Sequence, residues 1–295
     1  MVRLSRRAFF RKPASFGAAS SQVEQIRLDI IEVLRVTEAM LPALTCEKYV
    51  VVEPQTGSVL AARNASVRTP IASIQKLLTA LLVIEAGDLR RPVEIEPGDT
   101  ACMPIKAELR TGGAYARHDL LGAMLIGSAN DTALALARDH SGSLAAFAEA
   151  MNARAQALGM ADSVFRNPTG LPHEGQHSTA HDAALLCAAA DAVPLVRALV
   201  AQRHWQVRHG SGDATHLDAT NRLLRTMDGC DGMKTGFTRA SGACLAATGS
   251  RGATRRLVVV LGSTPDDIWN DAGGLLAASL GIGSTIPGGA LAAQD

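Results

Sequence analysis

Ser73 and Lys76, three residues apart in Pro70-Ile71-Ala72-Ser73-Ile74-Gln75-Lys76, supply a hydroxyl and an amine that one helical face would hold within hydrogen-bond reach. A serine hydroxyl becomes a useful nucleophile only when a neighbouring base takes its proton. A lysine can be that base if its pKa is drawn down toward neutrality. The setting favours this: a helix N-terminus disfavours a further cation, and Leu77-Leu78-Thr79-Ala80-Leu81-Leu82-Val83-Ile84 is apolar enough to bury the pair. Taken alone, the spacing also fits a helix-capping serine beside a lysine. Two later stretches add to it. Ser128-Ala129-Asn130 offers a hydroxyl and an amide, and Lys234-Thr235-Gly236 a cation and a hydroxyl. The chain has five lysines, and two of them stand in these stretches.

The elements that would position these groups can be read from periodicity and turn residues. Tyr49-Val50-Val51-Val52-Glu53 and Ser58-Val59-Leu60-Ala61-Ala62 flank Pro54-Gln55-Thr56-Gly57 as a hairpin, and the Ser73 helix follows. Val93 to Asp99 suggests a short strand and turn. His118 to Ile126 reads as a helix leading into Ser128, and Thr132–Asp139 and Leu144–Leu158 are alanine-rich helices. Strands return at Gln206–Arg208, Met233–Phe237, Ala243–Thr248 and Arg256–Leu261, before a closing helix from Asp266 to about Leu280. The expected class is α+β, one antiparallel sheet built from both ends of the chain and flanked by terminal helices, with a mainly helical lobe at about 88–200. The expected organisation is a tail at 1–21, an amphipathic helix within 22–45, a catalytic domain at 46–285 and a tail at 286–295. The helix at 22–41 puts Ile26, Ile30, Val33, Leu34 and Met40 on one stripe and mixes acidic and basic residues on the other, which favours packing over a membrane surface.

Composition excludes several classes. A net charge of +1 and 3% aromatics give no footing for nucleic acid, and no run of eighteen apolar residues spans a membrane. Cys46, Cys102, Cys187, Cys230 and Cys244 lack metal or redox spacing and read as small apolar residues. Arg90-Arg91, Arg255-Arg256, Glu94 and Glu96 read as solvated faces, and Trp205 and Trp269 as core. Ser5-Arg6-Arg7-Ala8-Phe9 has the core of a twin-arginine export signal, but Arg11 to Ser21 is too polar and short for the apolar region a signal needs.

The order S-x-x-K, S-x-N, K-T-G resembles the penicillin-recognising serine enzymes. From about Tyr49 to about Leu280 the chain is similar to the D-alanyl-D-alanine carboxypeptidases of the low-molecular-mass penicillin-binding type, peptidase family S11. The likeness rests also on Val52-Glu53-Pro54-Gln55-Thr56-Gly57, Phe165-Arg166-Asn167-Pro168-Thr169-Gly170-Leu171, Ser178-Thr179-Ala180 with Asp182, Asn221-Arg222-Leu223-Leu224 and Gly232-Met233-Lys234-Thr235-Gly236-Phe237-Thr238. It implies a DD-peptidase/β-lactamase-like fold and removal of the terminal D-alanine from peptidoglycan stem peptides through a Ser73 acyl-enzyme. Lys76 would be the base and Ser128 a proton relay to the leaving amine. Asn130 would hold the upstream amide, and Lys234 and Thr235 the terminal carboxylate; apart from the resemblance, Arg239 stands just past Thr238, where it could assist. The N–H groups of Ser73 and Phe237 would form the oxyanion hole, and Gly236 would let the substrate lie close. No cofactor or metal is called for. β-Lactams would acylate Ser73, and the substrate implies an extracytoplasmic, periplasmic location. Two departures stand out: Ala129 where the branch usually has glycine, and Gln75 where it commonly has threonine, pointing away from the pair and expected to matter little. The carboxy-terminal β-domain and amphipathic anchor of many relatives do not follow the closing helix, so membrane attachment by that route is not expected.

Three rivals use other residues or other outcomes. His173-Glu174-Gly175-Gln176-His177 spells the zinc-peptidase motif H-E-x-x-H, with His181 beyond, but Pro172 and Gly175 argue for a loop. A β-lactamase would share the first motifs, yet the class A loop glutamate followed four residues later by asparagine is missing: Glu174 is followed by Ser178. DD-endopeptidase or transpeptidase action would employ the same residues.

Overall fold

A computed structural model describes residues 44–282; the expected amphipathic helix at 22–41 and both tails lie outside the described residues. The valine-rich β1 (Lys48–Glu53) turns through Gly57, which takes the left-handed φ of +74° that the tight hairpin demands, into β2 (Ser58–Arg63). Three longer strands follow much later: β7 (Cys230–Thr238), β8 (Gly242–Arg251) and β9 (Thr254–Ser263). They join the first pair in one antiparallel sheet of order β2-β1-β9-β8-β7, so both ends of the chain build it, as expected.

Alternation along β9 divides the core in two. Val258 and Val260 face the closing helix α9 (Ile268–Ser279) with Tyr49, Val51, Leu245 and Leu275. Leu257, Val259 and Leu261 face the helical lobe with Val50, Val52 and Ala246. That lobe packs around α1 (Lys76–Glu85), whose residues Lys76 to Val83 are all buried, the pattern of a helix apolar on every side. Around it lie α2 (Pro97–Thr100), α3 (Arg117–Ile126), α4 (Asn130–Ser141), α5 (Leu144–Ala157), α6 (Ala180–Asp191) and α7 (Pro194–Val200).

Two small hairpins complete the frame: β3 (Pro92–Glu94) with β4 (Ala114–Ala116), and β5 (His204–Arg208) with β6 (Ala214–Asp218). The short α8 (Leu223–Thr226) leads into β7. Among the described residues no single helix is long and apolar enough to cross a membrane. One expectation fails. Arg255 is no solvated residue: it is 6% exposed and its guanidinium grips Asp191 at the end of α6 and Asp231 on β7. A buried guanidinium persists only where carboxylates pair it, and two do. Arg256 likewise reaches Glu53 on β1 at 2.9 Å.

Candidate active site

Ser73 sits on a 3₁₀ turn, Ala72–Gln75, that feeds directly into α1, and Lys76 is that helix's first residue. The turn starts with Ala72 at φ +48°, a strained value for a residue with a Cβ. Lys76 is fully buried, and its Nζ lies 2.8 Å from Ser73 Oγ, 2.7 Å from Asn130 Oδ1 and 2.8 Å from Thr169 O. The last two oxygens can only accept. A neutral amine has two protons and one lone pair, so donating to both aims the lone pair at Ser73 Oγ, the one partner able to donate. Burial, reinforced by the nearby Lys234 ammonium, draws the Lys76 amine well below its ordinary pKa. The arrangement sets a hydroxyl against an amine that is able to take its proton.

The second stretch enters at the junction of α3 and α4. Ser128 occupies the turn with φ +62°, and Asn130 opens α4. Ala129 itself has an ordinary φ of −59°, so the methyl that replaces glycine costs no backbone strain. The third stretch lies on β7. Gly236 passes so near the serine turn that a Cβ there would stand 2.8 Å from Ser73 N and 2.9 Å from Ala72 Cβ. The first and third stretches thus meet at the serine turn, and Asn130 of the second reaches the Lys76 amine. Lys234 is buried, its Nζ donates to Thr235 O at 3.0 Å, and burial pushes its pKa down to about 7. Thr235 Oγ1 donates to Thr220 Oγ1 at 2.6 Å. Phe237 is 59% exposed at the sheet's edge, and Arg239 is exposed beyond it.

Several supporting residues carried no assigned role in the sequence. Thr169 contributes its carbonyl because Asn167 builds the loop: Asn167 Oδ1 accepts from Thr169 N, Thr169 Oγ1 and Gly170 N, and its Nδ2 donates to Leu171 O. The Asn-Pro-Thr-Gly string is a turn signal, but its target, a lysine amine over ninety positions earlier, is a tertiary fact. Gln75 does point away from the Ser73–Lys76 pair, but it is buried and its Nε2 donates to Asn167 O at 2.5 Å, tying this loop to the serine turn. Asp131 is buried and receives the backbone N–H groups of Ala107 and Leu109, while Asn130 N donates to Ile105 O at 2.8 Å. Burial raises the Asp131 pKa.

The H-E-x-x-H stretch is a loop. His173 and Glu174 are exposed on a turn, and His177 pairs with Val164 through an isolated β-bridge, so no helix face presents the two imidazoles together. Cys46, Cys187 and Cys244 are buried and all five cysteines are unpaired.

A family model described as D-alanyl-D-alanine carboxypeptidase matches residues 35–264. The chain is 32% identical over 224 residues to the D-alanyl-D-alanine carboxypeptidase DacF of Bacillus subtilis, covering 74% of this chain and 58% of the relative. It is 35% identical over 206 residues to a D-alanyl-D-alanine endopeptidase of Pseudomonas aeruginosa, covering 66% and 64%. The chain thus spans about three fifths of the length of these relatives. Among solved structures, a D-alanyl-D-alanine carboxypeptidase from Mycobacterium tuberculosis superposes with a TM-score of 0.78 at 27% identity, over 83% of this chain and 94% of that one. The Streptomyces K15 DD-transpeptidase shares the fold, with a TM-score of 0.78 over 82% of this chain and 99% of its own. With three-quarters of its length matched by that family and the expected antiparallel sheet and helical lobe in place, the chain belongs to the S11 D-alanyl-D-alanine carboxypeptidase family.

Proposed function

We propose that the protein is a serine D-Ala-D-Ala carboxypeptidase that removes the terminal D-alanine from peptidoglycan stem peptides. The observation that carries this is the buried Lys76 Nζ 2.8 Å from Ser73 Oγ, its other two partners being the acceptor-only oxygens of Asn130 and Thr169. Ser73 attacks the carbonyl between the two D-alanines, and Lys76 takes its proton. Ser128 passes a proton to the departing D-alanine amine. Lys234 and Thr235 bind the terminal carboxylate, Asn130 the upstream amide, and the Ser73 and Phe237 N–H groups the oxyanion. β7 lies at the end of the sheet order, so an extended peptide can add along its outer edge, with Gly236 admitting it near Ser73. Water then hydrolyses the acyl-enzyme. The substrate lies outside the cytoplasm, so the working location is extracytoplasmic.

β-Lactams mimic the D-Ala-D-Ala end and acylate the same oxygen. Labelled penicillin marks the wild-type protein and leaves Ser73→Ala unmarked, while the wild type releases D-alanine from diacetyl-Lys-D-Ala-D-Ala. Equal labelling of the alanine variant sinks the assignment. Endopeptidase action on crosslinked peptides is the second reading, favoured by the Pseudomonas aeruginosa relative's name. Digestion of purified crosslinked muropeptides separates the two.

A further inference from the structure

Thr220 stands where two walls of the site meet. It lies between β6 and α8, and its backbone N–H donates to Ile126 O at 3.2 Å, two residues before Ser128. Its neighbour Asn221 donates Nδ2 to Gly232 O on β7 at 2.7 Å. Held between these ties, Thr220 Oγ1 accepts the hydroxyl proton of Thr235 at 2.6 Å. A threonine hydroxyl has one proton to give. While Thr235 donates it to Thr220, that proton is not directed at an incoming anion.

We propose that Thr220 is a positioning residue for the carboxylate-binding hydroxyl of Thr235, a reversible partner whose hydrogen bond changes direction when substrate arrives. In the free enzyme Thr235 donates to Thr220. When a terminal carboxylate enters, Thr235 rotates its proton to the carboxylate oxygen, and Thr220 rotates its own proton to the Thr235 oxygen. The hydrogen bond between the two hydroxyls is kept, and no proton leaves either oxygen. Thr235 then donates a charge-assisted bond while accepting a second one, and accepting strengthens donating. Both oxygens are already placed for this. Thr220 is held through its backbone and Thr235 is a strand residue, so neither side chain must travel. The inference rests on Thr235 as a carboxylate ligand, so the test includes a variant of each residue.

The probes are two thioester substrates, identical except that the leaving group ends in a carboxylate in one and a carboxamide in the other. Thr235→Val raises KM for the acid more than for the carboxamide, whose oxygen accepts a weaker, uncharged bond. Thr220→Val raises KM for the acid about fivefold, the equivalent of one hydrogen bond, raises that for the carboxamide less, and leaves both kcat values near wild type. Thr220→Ser restores the wild-type KM, which a merely structural role would not predict. If Thr235→Val discriminates between the probes but Thr220→Val affects both equally or neither, the proposal is overturned and the carboxylate site stands. A Thr235→Val variant indifferent to the carboxylate overturns the underlying site as well. Thermal melting of each variant, with Thr220→Ser as the hydroxyl-bearing control, separates loss of fold from loss of recognition.

Discussion

Lys76 and Lys234 are buried alike but differ in what surrounds their amines, and that difference divides their work. Lys76 is fully buried beside a second cation, Lys234, and burial first and that cation second favour the neutral base. Lys234 has the Thr235 carbonyl, and burial alone pushes it down to about 7. A substrate carboxylate beside Lys234 favours its charged form and raises it again. The sign follows. On the proposed mechanism, activity first climbs with rising pH as Lys76 loses its proton, then falls as Lys234 loses the charge proposed to grip the carboxylate. In D-alanine release, the alkaline limb of kcat/KM, which reports the free enzyme, lies near pH 7, and that of kcat lies higher. Lys234→Arg keeps a charge through this range and moves the alkaline limb upward; an unmoved limb would assign it to another group. Lys76→Ala removes the base and lowers the rate of penicillin acylation by about 10²–10⁴, read by stopped-flow labelling.

At the scale of elements, the site depends on how closely three backbones pass one another. A Cβ at Gly170 would stand 2.1 Å from Ala72 O, at a φ of +86° that side chains rarely adopt. At Gly236 the obstruction is the Ser73 amide itself. Gly236→Ala therefore pushes β7 and the serine turn apart. It lowers penicillin acylation at least tenfold, while thermal melting changes by about 1–3 kcal/mol, the usual range for overpacking. Gly170→Ala carries the clash and the backbone strain together and loses more stability, measured by the same melting curve. Most elements were legible beforehand. The β-rich runs, the alanine-rich helices and the apolar α1 have the periods that strands and helices require. The 3₁₀ turn was not, because local spacing does not distinguish a helix's first turn from a tighter one. β6 also escaped: Ala214–Asp218 is polar and half-exposed, and it is a strand because β5 lies beside it.

For the molecule as a whole, the five-stranded sheet is a frame that joins strands from the early and late parts of the described residues and sets β7 at its edge. Arg255 couples the two parts, bonding Asp191 of α6 and Asp231 of β7 from its place on β9. Replacing it with methionine leaves two carboxylates near one another without their cation. The expected loss is about 3–5 kcal/mol of stability, measured by urea denaturation, the usual scale for one member of a buried ionic group. The double replacement with Asp191→Asn recovers part of that loss if the cost lies in the orphaned charge. Stability unchanged in the single variant would show the network to be hydrated and dispensable.

Motif order and the resemblance it carries pointed to the family and to the sheet-plus-helical-lobe class, and named eight residues expected at the site. The class follows from local periods and the motifs from short spacings within one turn or strand, while the family and the site roles follow from the resemblance. Tertiary structure decided what surrounds them. It is packing that buries Lys76 and aims its lone pair through Asn130 and Thr169, and that brings Gln75, Asp131 and Thr220 into supporting positions. Packing also takes Arg255 out of water. A side chain's pKa and the direction of its hydrogen bonds depend on neighbours drawn from distant parts of the chain. Such neighbours have no period or spacing by which a linear sequence could announce them.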